Sequence, residues 1–321
     1  MKKLCSVVAV MLFLTAVSGE IFTHDVKTEK KPWTHERFLN QDGEFSFVIL
    51  PDRTGGERKK GIWAGALDKA NMFHPDFIIT TGDMIEGINK PEKLKKETME
   101  AQFAELRSIT GKSVAPFFYL VGNHDISRTR PGFPMVNEMG KKIWLDHLGT
   151  TYYSFLYKNV LFLCLDQMEG RDSRPKQCGL TDTQLAWALE TLKKYPDVRW
   201  TLVFVHSPWT WNEAPFRRLE KAMADRNYTV FSGDFHYYNK FSRYGRDYYL
   251  LATAGGTSKM RGIKDWGEFD HITYVTMTVE GPQVVNILLD GILPGDVVTT
   301  KQSKQSKTHV VKDIPVSSAK K

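Results

Sequence analysis

Five times along this 321-residue chain a short apolar run ends on a carboxylate, an amide or an imidazole. Residues 45–50 lead into Pro51 and Asp52, 77–81 into Gly82 and Asp83, and 117–121 into Gly122, Asn123, His124 and Asp125. Residues 201–205 lead into His206, and 229–231 into Ser232, Gly233, Asp234, Phe235 and His236. Apolar runs of this length read as buried strands. Between the first three lie stretches of helical spacing, 57–74, with Ile62, Ala66, Leu67, Ala70 and Phe73 on one side, and 92–109. Strand and helix in alternation predict a layered α/β sheet with right-handed crossovers. Such sheets bind ligands beyond the carboxyl ends of their strands, so the five polar termini are expected to converge on one cleft.

The second half extends the pattern. Residues 152–155 and 160–165 predict a hairpin turning at Lys158 and Asn159, followed by a helix over 181–195 with Thr181 as its cap. A helix over 213–224 separates the strands at 201–205 and 229–231, and further strands are predicted at 248–252, 274–279 and 284–289. A second sheet packed on the first, with helices outside both, accommodates these elements. No repeat of fixed period interrupts the chain. One domain over 38–300 is expected, after an extension at 20–37.

The residue types at the strand ends suit divalent cations: oxygen donors from Asp and Asn, nitrogen from His, and no thiolate. Taken singly, an Asp after a strand is a turn residue or a helix cap, and a lone His a structural group. Taken together, the crowded carboxylates would repel one another without cations. A pair of ions can acidify a water and clamp phosphate oxygens. The glycines before Asp83, Asn123 and Asp234 are expected to let the backbone turn sharply.

The ordered set Asp52, Gly82-Asp83, Gly122-Asn123-His124-Asp125, His206 and Gly233-x-x-His236 resembles the calcineurin-like metallophosphoesterases, over nearly the whole domain. The resemblance implies a four-layer α-β-β-α sandwich of two mixed β-sheets flanked by helices, with a two-metal site at the strand ends. It also implies that Asp83 bridges the ions, that Asp52 and His236 hold the first, and that Asn123, His206 and Asp234 hold the second. His124 would lie against the phosphate, stabilising its charge or protonating the leaving oxygen, and Asp125 would orient that imidazole.

Two positions depart from the family pattern. Thr54 stands where Asp-x-His is usual, and Asp234 where the last motif usually reads Gly-His-x-His. A carboxylate still ligates, whereas a hydroxyl is a poor ligand. One or two divalent ions are therefore expected, Mg, Mn, Fe or Zn, with oxygen-loving ions favoured and the first position the labile one. Arg53, Arg128 and Arg130 are candidates for holding phosphate oxygens, and Trp209 and Trp211 for stacking on a flat group.

Composition sets the remaining limits. At 41% hydrophobic the chain is globular. Its net charge of +7 resides in Lys2, Lys3 and a lysine-rich segment at 301–321, so the body is balanced and nucleic acid is not an expected partner. That last segment reads as a solvated tail. Lys2 and Lys3, an apolar run over 4–17 and small residues through Gly19 read as a cleaved secretory signal over 1–19. The mature chain is then periplasmic or extracellular, without a stable membrane anchor, and its partner a small phosphate ester. Cys164 and Cys178 are open to pairing or, for Cys164, to life as a core thiol. A degenerate member that binds metal or a phosphorylated ligand without turnover is the alternative reading, and a purely structural or adhesive domain a third.

Overall fold

A computed structural model describes residues 22–37, 44–54, 61–87, 95–126, 134–169, 179–256 and 261–294. The signal-like segment, Arg128, Arg130, Cys178 and the lysine-rich tail lie outside the described residues.

Thirteen strands and five α-helices are present among the described residues: β1 (Phe22–His24), β2 (Phe45–Leu50), α1 (Ile62–Met72), β3 (Phe77–Thr80), α2 (Lys96–Thr110), β4 (Phe117–Phe118) and α3 (Pro134–Leu148) come first. There follow β5 (Tyr153–Tyr157), β6 (Val160–Leu165), α4 (Asp182–Lys194), β7 (Trp200–Val205), α5 (Ala214–Ala222), β8 (Tyr228–Ser232), β9 (Asn239–Arg243), β10 (Arg246–Leu250), β11 (His271–Thr278), β12 (Gly281–Leu288) and β13 (Gly291–Pro294). They make a seven-stranded sheet, β1-β5-β6-β7-β8-β10-β9, and a six-stranded sheet, β13-β12-β11-β2-β3-β4. Both are mixed: β2, β3 and β4 run parallel in one, and β6, β7, β8 and β10 in the other.

Alternation along the strands builds the layers. Phe47 and Ile49 of β2 face the other sheet, whereas Val48 and Leu50 face the helices. Being buried on both sides, the strand reads as an unbroken apolar run. The inter-sheet layer is unusually aromatic: Phe118 stacks on Phe155 at 4.3 Å between centroids, and Phe155 on Phe162 at 4.4 Å. Outside the six-stranded sheet α1, α2 and α3 pack through Trp63, Leu67, Phe103, Leu106 and Trp144. Outside the other, α4 and α5 pack through Leu185, Ala188, Phe216 and Leu219. The expected four-layer α-β-β-α sandwich is therefore the observed one.

Local signals account for some boundaries. Thr181 caps α4, its hydroxyl accepting from the Gln184 N–H at 3.1 Å. Residues 117–121 were expected as strand, yet the ladder stops at Phe118. The N–H of Tyr119 turns instead to the carbonyl of Pro32, at 2.7 Å. Residues 22–37, set apart in sequence as an extension, are woven into the domain: β1 borders the seven-stranded sheet, and 32–34 run beside β4 at the edge of the other. Two sheet edges are thereby covered. Cys164 is a free, buried thiol in the inter-sheet layer, and burial pushes its pKa up.

Candidate metal centre

The parallel strands β2, β3 and β4 and the parallel strands β7 and β8 end in the loops that carry Asp52, Asp83, Asn123–Asp125, His206 and Asp234–His236, and these loops meet. Asp52, Asp83 and His206 place their ligating atoms within 4.8 Å of one another, all three buried. Asp83, Asp234 and His236 have positive φ, of 55°, 71° and 57°. That conformation costs a non-glycine residue of order 1 kcal/mol or more and is retained where surrounding structure holds it in place.

Glycines make the approach possible in two different ways. Gly82 turns at φ 100°, as a turn requires. Gly122 and Gly233 serve by lacking a side chain: a Cβ on either would lie 2.3 Å from Asp83 Oδ1 or 2.2 Å from Asp52 Oδ1. The expectation that all three glycines act as turns is thus corrected for these two, which make room for carboxylates.

The imidazole of His206 shows what the cluster is built to hold. Its Nδ1 donates to the Thr81 carbonyl at 2.7 Å, which turns Nε2 toward the carboxylates. Around Nε2 stand Asn123 Oδ1 at 3.1 Å, Asp83 Oδ2 at 3.3 Å and Asp234 Oδ1 at 3.8 Å. Three acceptor oxygens surround one ring nitrogen, an arrangement that either a proton on Nε2 or a bound cation would satisfy. Burial lowers the pKa of His206, but Asp83, Asp52 and Asp234 together raise it well above the ordinary value; the same field would bind a metal ion. The donor set, three oxygens and one nitrogen, fits a borderline or hard divalent ion.

The second group centres on Asp52. Its Oδ2 lies 3.4 Å from His236 Nε2 and accepts from the Asp234 N–H at 2.7 Å, and its Oδ1 accepts from the Thr81 hydroxyl at 3.2 Å. Burial raises the Asp52 pKa against the pull of His206 and His236. His236 Nδ1 is buried without a hydrogen-bond partner among the described residues. Thr54 spends its hydroxyl on Asp83 Oδ2, at 3.1 Å. It steadies the central carboxylate. Burial pushes the Asp83 carboxyl up, but His206 and His124 and the bonds they donate bring it below the usual carboxylate range.

His124 sits at the edge of this cluster. Its N–H donates to Asp83 Oδ1 at 2.8 Å, and its Nε2 lies 3.9 Å from Asp83 Oδ2. What orients the ring is the backbone carbonyl of Glu86, which accepts from Nδ1 at 2.6 Å. Asp125, expected to orient that ring, does something else: its Oδ2 accepts from the N–H groups of Asp83 and Gly122, both at 2.8 Å, and its Oδ1 from Met84 at 2.8 Å and Ile85 at 3.2 Å. It clasps the β3 loop to the β4 loop. Burial and the charge of Asp83 push this carboxyl up to about 7, against the pull of the Gly122 and Met84 N–H groups.

The remaining candidates divide. Arg53 is beside the site, but its guanidinium pairs with Glu105 of α2 at 2.9 Å. Trp211 is fully buried, its Nε1 donating to Ser232 at 3.1 Å, whereas Trp209 is 44% exposed. Two residues escaped sequence reasoning. Ser207 donates its hydroxyl to Asp234 Oδ2, and Gln167, just past β6, accepts the Ser207 N–H at 3.3 Å. Gln167 had a signal, since it lies just beyond an apolar strand, with Asp166 between.

The fold and these donors define a layered α/β protein with a cluster of oxygen and nitrogen donors at its strand ends that could hold a metal ion. A model of the calcineurin-like phosphoesterase family matches residues 62–238, and the chain belongs to that family. No curated protein matches the chain. Among solved structures, PhoD is 12% identical, with a TM-score of 0.60 over 86% of this chain and 74% of its own. GAP50, the anchor in the inner membrane complex of Plasmodium, is 13% identical, with a TM-score of 0.50 over 83% of this chain and 94% of its own. At such identities the likeness is one of fold.

Proposed function

We propose that this chain is an exported, metal-dependent hydrolase of phosphate esters, mono- or diesters. The observation that carries the reading is the set of oxygens from Asp83, Asn123 and Asp234 around His206 Nε2, in a chain of the phosphoesterase family. Asp83, Asn123, His206 and Asp234 would hold one divalent ion, and Asp52, Asp83 and His236 another, weaker one. When bound, such ions would supply an acidified water and charge neutralisation at the phosphate oxygens. Three carboxylates and an amide favour oxygen-loving ions such as Mg or Mn.

His124 supplies the proton. Because its Nδ1 proton is committed to the Glu86 carbonyl, the proton for the leaving oxygen would come from Nε2 of the doubly protonated ring, which becomes the neutral Nδ1–H imidazole. Asp125 keeps the two loops in register, so that His124 and Asp83 stay together. Export rests on Lys2, Lys3 and the apolar run that follows; no helix among the described residues is long and apolar enough to cross a membrane.

The test is metal analysis of the purified protein with hydrolysis of 4-nitrophenyl phosphate and bis(4-nitrophenyl) phosphate. Asp83→Ala is expected to abolish turnover, and His124→Ala to lower kcat by about 10²–10⁴. Turnover surviving in Asp83→Ala would refute the site. Two equally tight zinc ions would refute the labile first position. Thr54, bound to Asp83 in place of an imidazole, favours a second reading, a chain that holds a phosphorylated ligand without turnover. Phosphate binding with no hydrolysis under any divalent ion would select it.

A further inference from the structure

Beside the metal centre stands an aromatic platform that no step above uses. The segment Pro208–Asn212 leaves β7 immediately after His206 and Ser207 as a single 3-10 turn. Pro208, Thr210 and Trp211 are buried; Trp209 between them is 44% exposed. The indole rests edge-on against Phe235, at 5.6 Å between centroids and 74° between planes. Phe235 is itself buried, packed on Tyr237 at 6.0 Å, and lies in sequence between Asp234 and His236. Trp209 is three residues from His206, so its Cα is within about 11 Å of that ligand's by chain reach alone.

One exposed ring is ordinary on a protein surface. This one is held with unusual firmness. Trp211 is buried with its Nε1 on Ser232, and its carbonyl accepts Arg243 Nη2 at 3.0 Å. Arg243, almost wholly buried, is paired bidentately with Glu220 at 3.0 and 3.2 Å and also reaches Asn212 Oδ1 at 3.4 Å. A desolvated ion pair is costly unless its geometry is good, and here it pins the backbone that presents Trp209. The rotation of Trp209 is further limited by Phe235. A rigid, half-exposed aromatic face beside metal ligands loses little entropy when a flat group lies on it.

Resting on the phosphoesterase reading, we propose that Trp209 is the seat of the substrate's leaving group, and that the enzyme selects phosphate esters whose alcohol carries a planar aromatic group over those of small aliphatic alcohols. An aryl group and a nucleoside base share the chemistry that Trp209 recognises, a π face and an apolar surface.

The test compares kcat/KM of the metal-loaded full chain and of Trp209→Ala and Trp209→Phe on phenyl phosphate, a nucleoside monophosphate and glycerol phosphate. Stacking on an aromatic side chain is worth a loss of about five- to a hundredfold when truncated, and it falls mainly on KM. That loss is expected for Trp209→Ala on at least one planar ester, with Trp209→Phe recovering part of it and the loss on glycerol phosphate several-fold smaller. Which planar ester responds separates aryl from nucleoside substrates. Equal losses on all three esters, or none on any, would overturn the proposal while leaving the phosphoesterase reading intact. Absence of turnover of every ester by the unmodified chain would overturn both. Unfolding temperatures of the variants, expected to stay within a few degrees, distinguish the seat from a folding defect.

Discussion

Replacing Asp125 by Asn separates two accounts of a residue that the family motif alone leaves ambiguous. If Asp125 merely oriented His124, the variant would keep its stability and lose activity. The structure instead gives Asp125 four backbone donors, from Asp83, Met84, Ile85 and Gly122. An Asn retains one acceptor oxygen and serves two of them. Its amide NH2 then confronts the other two N–H groups, leaving them buried without partners. Each such group costs about 1–3 kcal/mol, so Asp125→Asn is expected to lose about 2–6 kcal/mol. Set against a typical total of about 5–15 kcal/mol, this is a large fraction, readable as a displaced midpoint in urea with little change in slope. Asp83 rides on the loop that loosens, so metal affinity should fall together with stability. A variant within about 0.5 kcal/mol of the parent but with catalysis impaired as in His124→Ala would refute the clasp and reinstate the orienting role.

Three further outcomes follow from the same contacts. Glu220→Ala strands the buried Arg243 guanidinium and removes the acceptor of the Tyr248 hydroxyl; it is expected to cost about 3–5 kcal/mol in denaturant unfolding, and a loss under 1 kcal/mol would refute the buried pairing. Removing divalent ions with a chelator should lower the unfolding temperature by several degrees, because an ion at a hundred times its Kd contributes about 2.7 kcal/mol; an unchanged temperature refutes the cation site. His271 is buried, and burial pushes its pKa down to about 3, while its Nε2 accepts from Ala252 N–H at 3.0 Å. The unfolded chain therefore binds a proton that the folded chain refuses between about pH 6.5 and 3, and stability from this group is lost as pH falls through that window, by up to about 4–5 kcal/mol. In His271→Gln the stability curve should be flatter over that range, and an unchanged slope would rule the histidine out as its source.

What the sequence revealed, and what it concealed, divides along a physical line. The meeting of Asp52, Asp83, Asn123, His206 and Asp234 was legible because each lies within three residues of the end of an apolar run, and sheet topology does the rest. The cap at Thr181 was legible because its partner is three residues away. The helix α3 was not: Gly140 lies inside it, a residue that weakens a helix, and is there because a Cβ would meet the Ile126 carbonyl at 2.2 Å. The helix presses on the loop that carries His124 and Asp125. Equally hidden were the Glu86 carbonyl, which leaves no trace in residue type, and the Arg243–Glu220 pair, which lies across a strand and a helix.

The two departures from the family pattern would act in opposite senses on the proposed centre. Asp234 adds a carboxylate, and Ser207 fixes it: the hydroxyl holds Oδ2, leaving Oδ1 toward His206. Gln167 in turn holds the Ser207 backbone, so this position is supported by residues on two neighbouring strand ends. Thr54 adds no comparable donor and uses its hydroxyl to hold Asp83. One side of the centre thus gains a charged oxygen with its own support, and the other loses an imidazole and receives a prop for the shared carboxylate. If both positions bind ions, these hydrogen bonds would give them different affinities, through what Ser207 and Thr54 donate to.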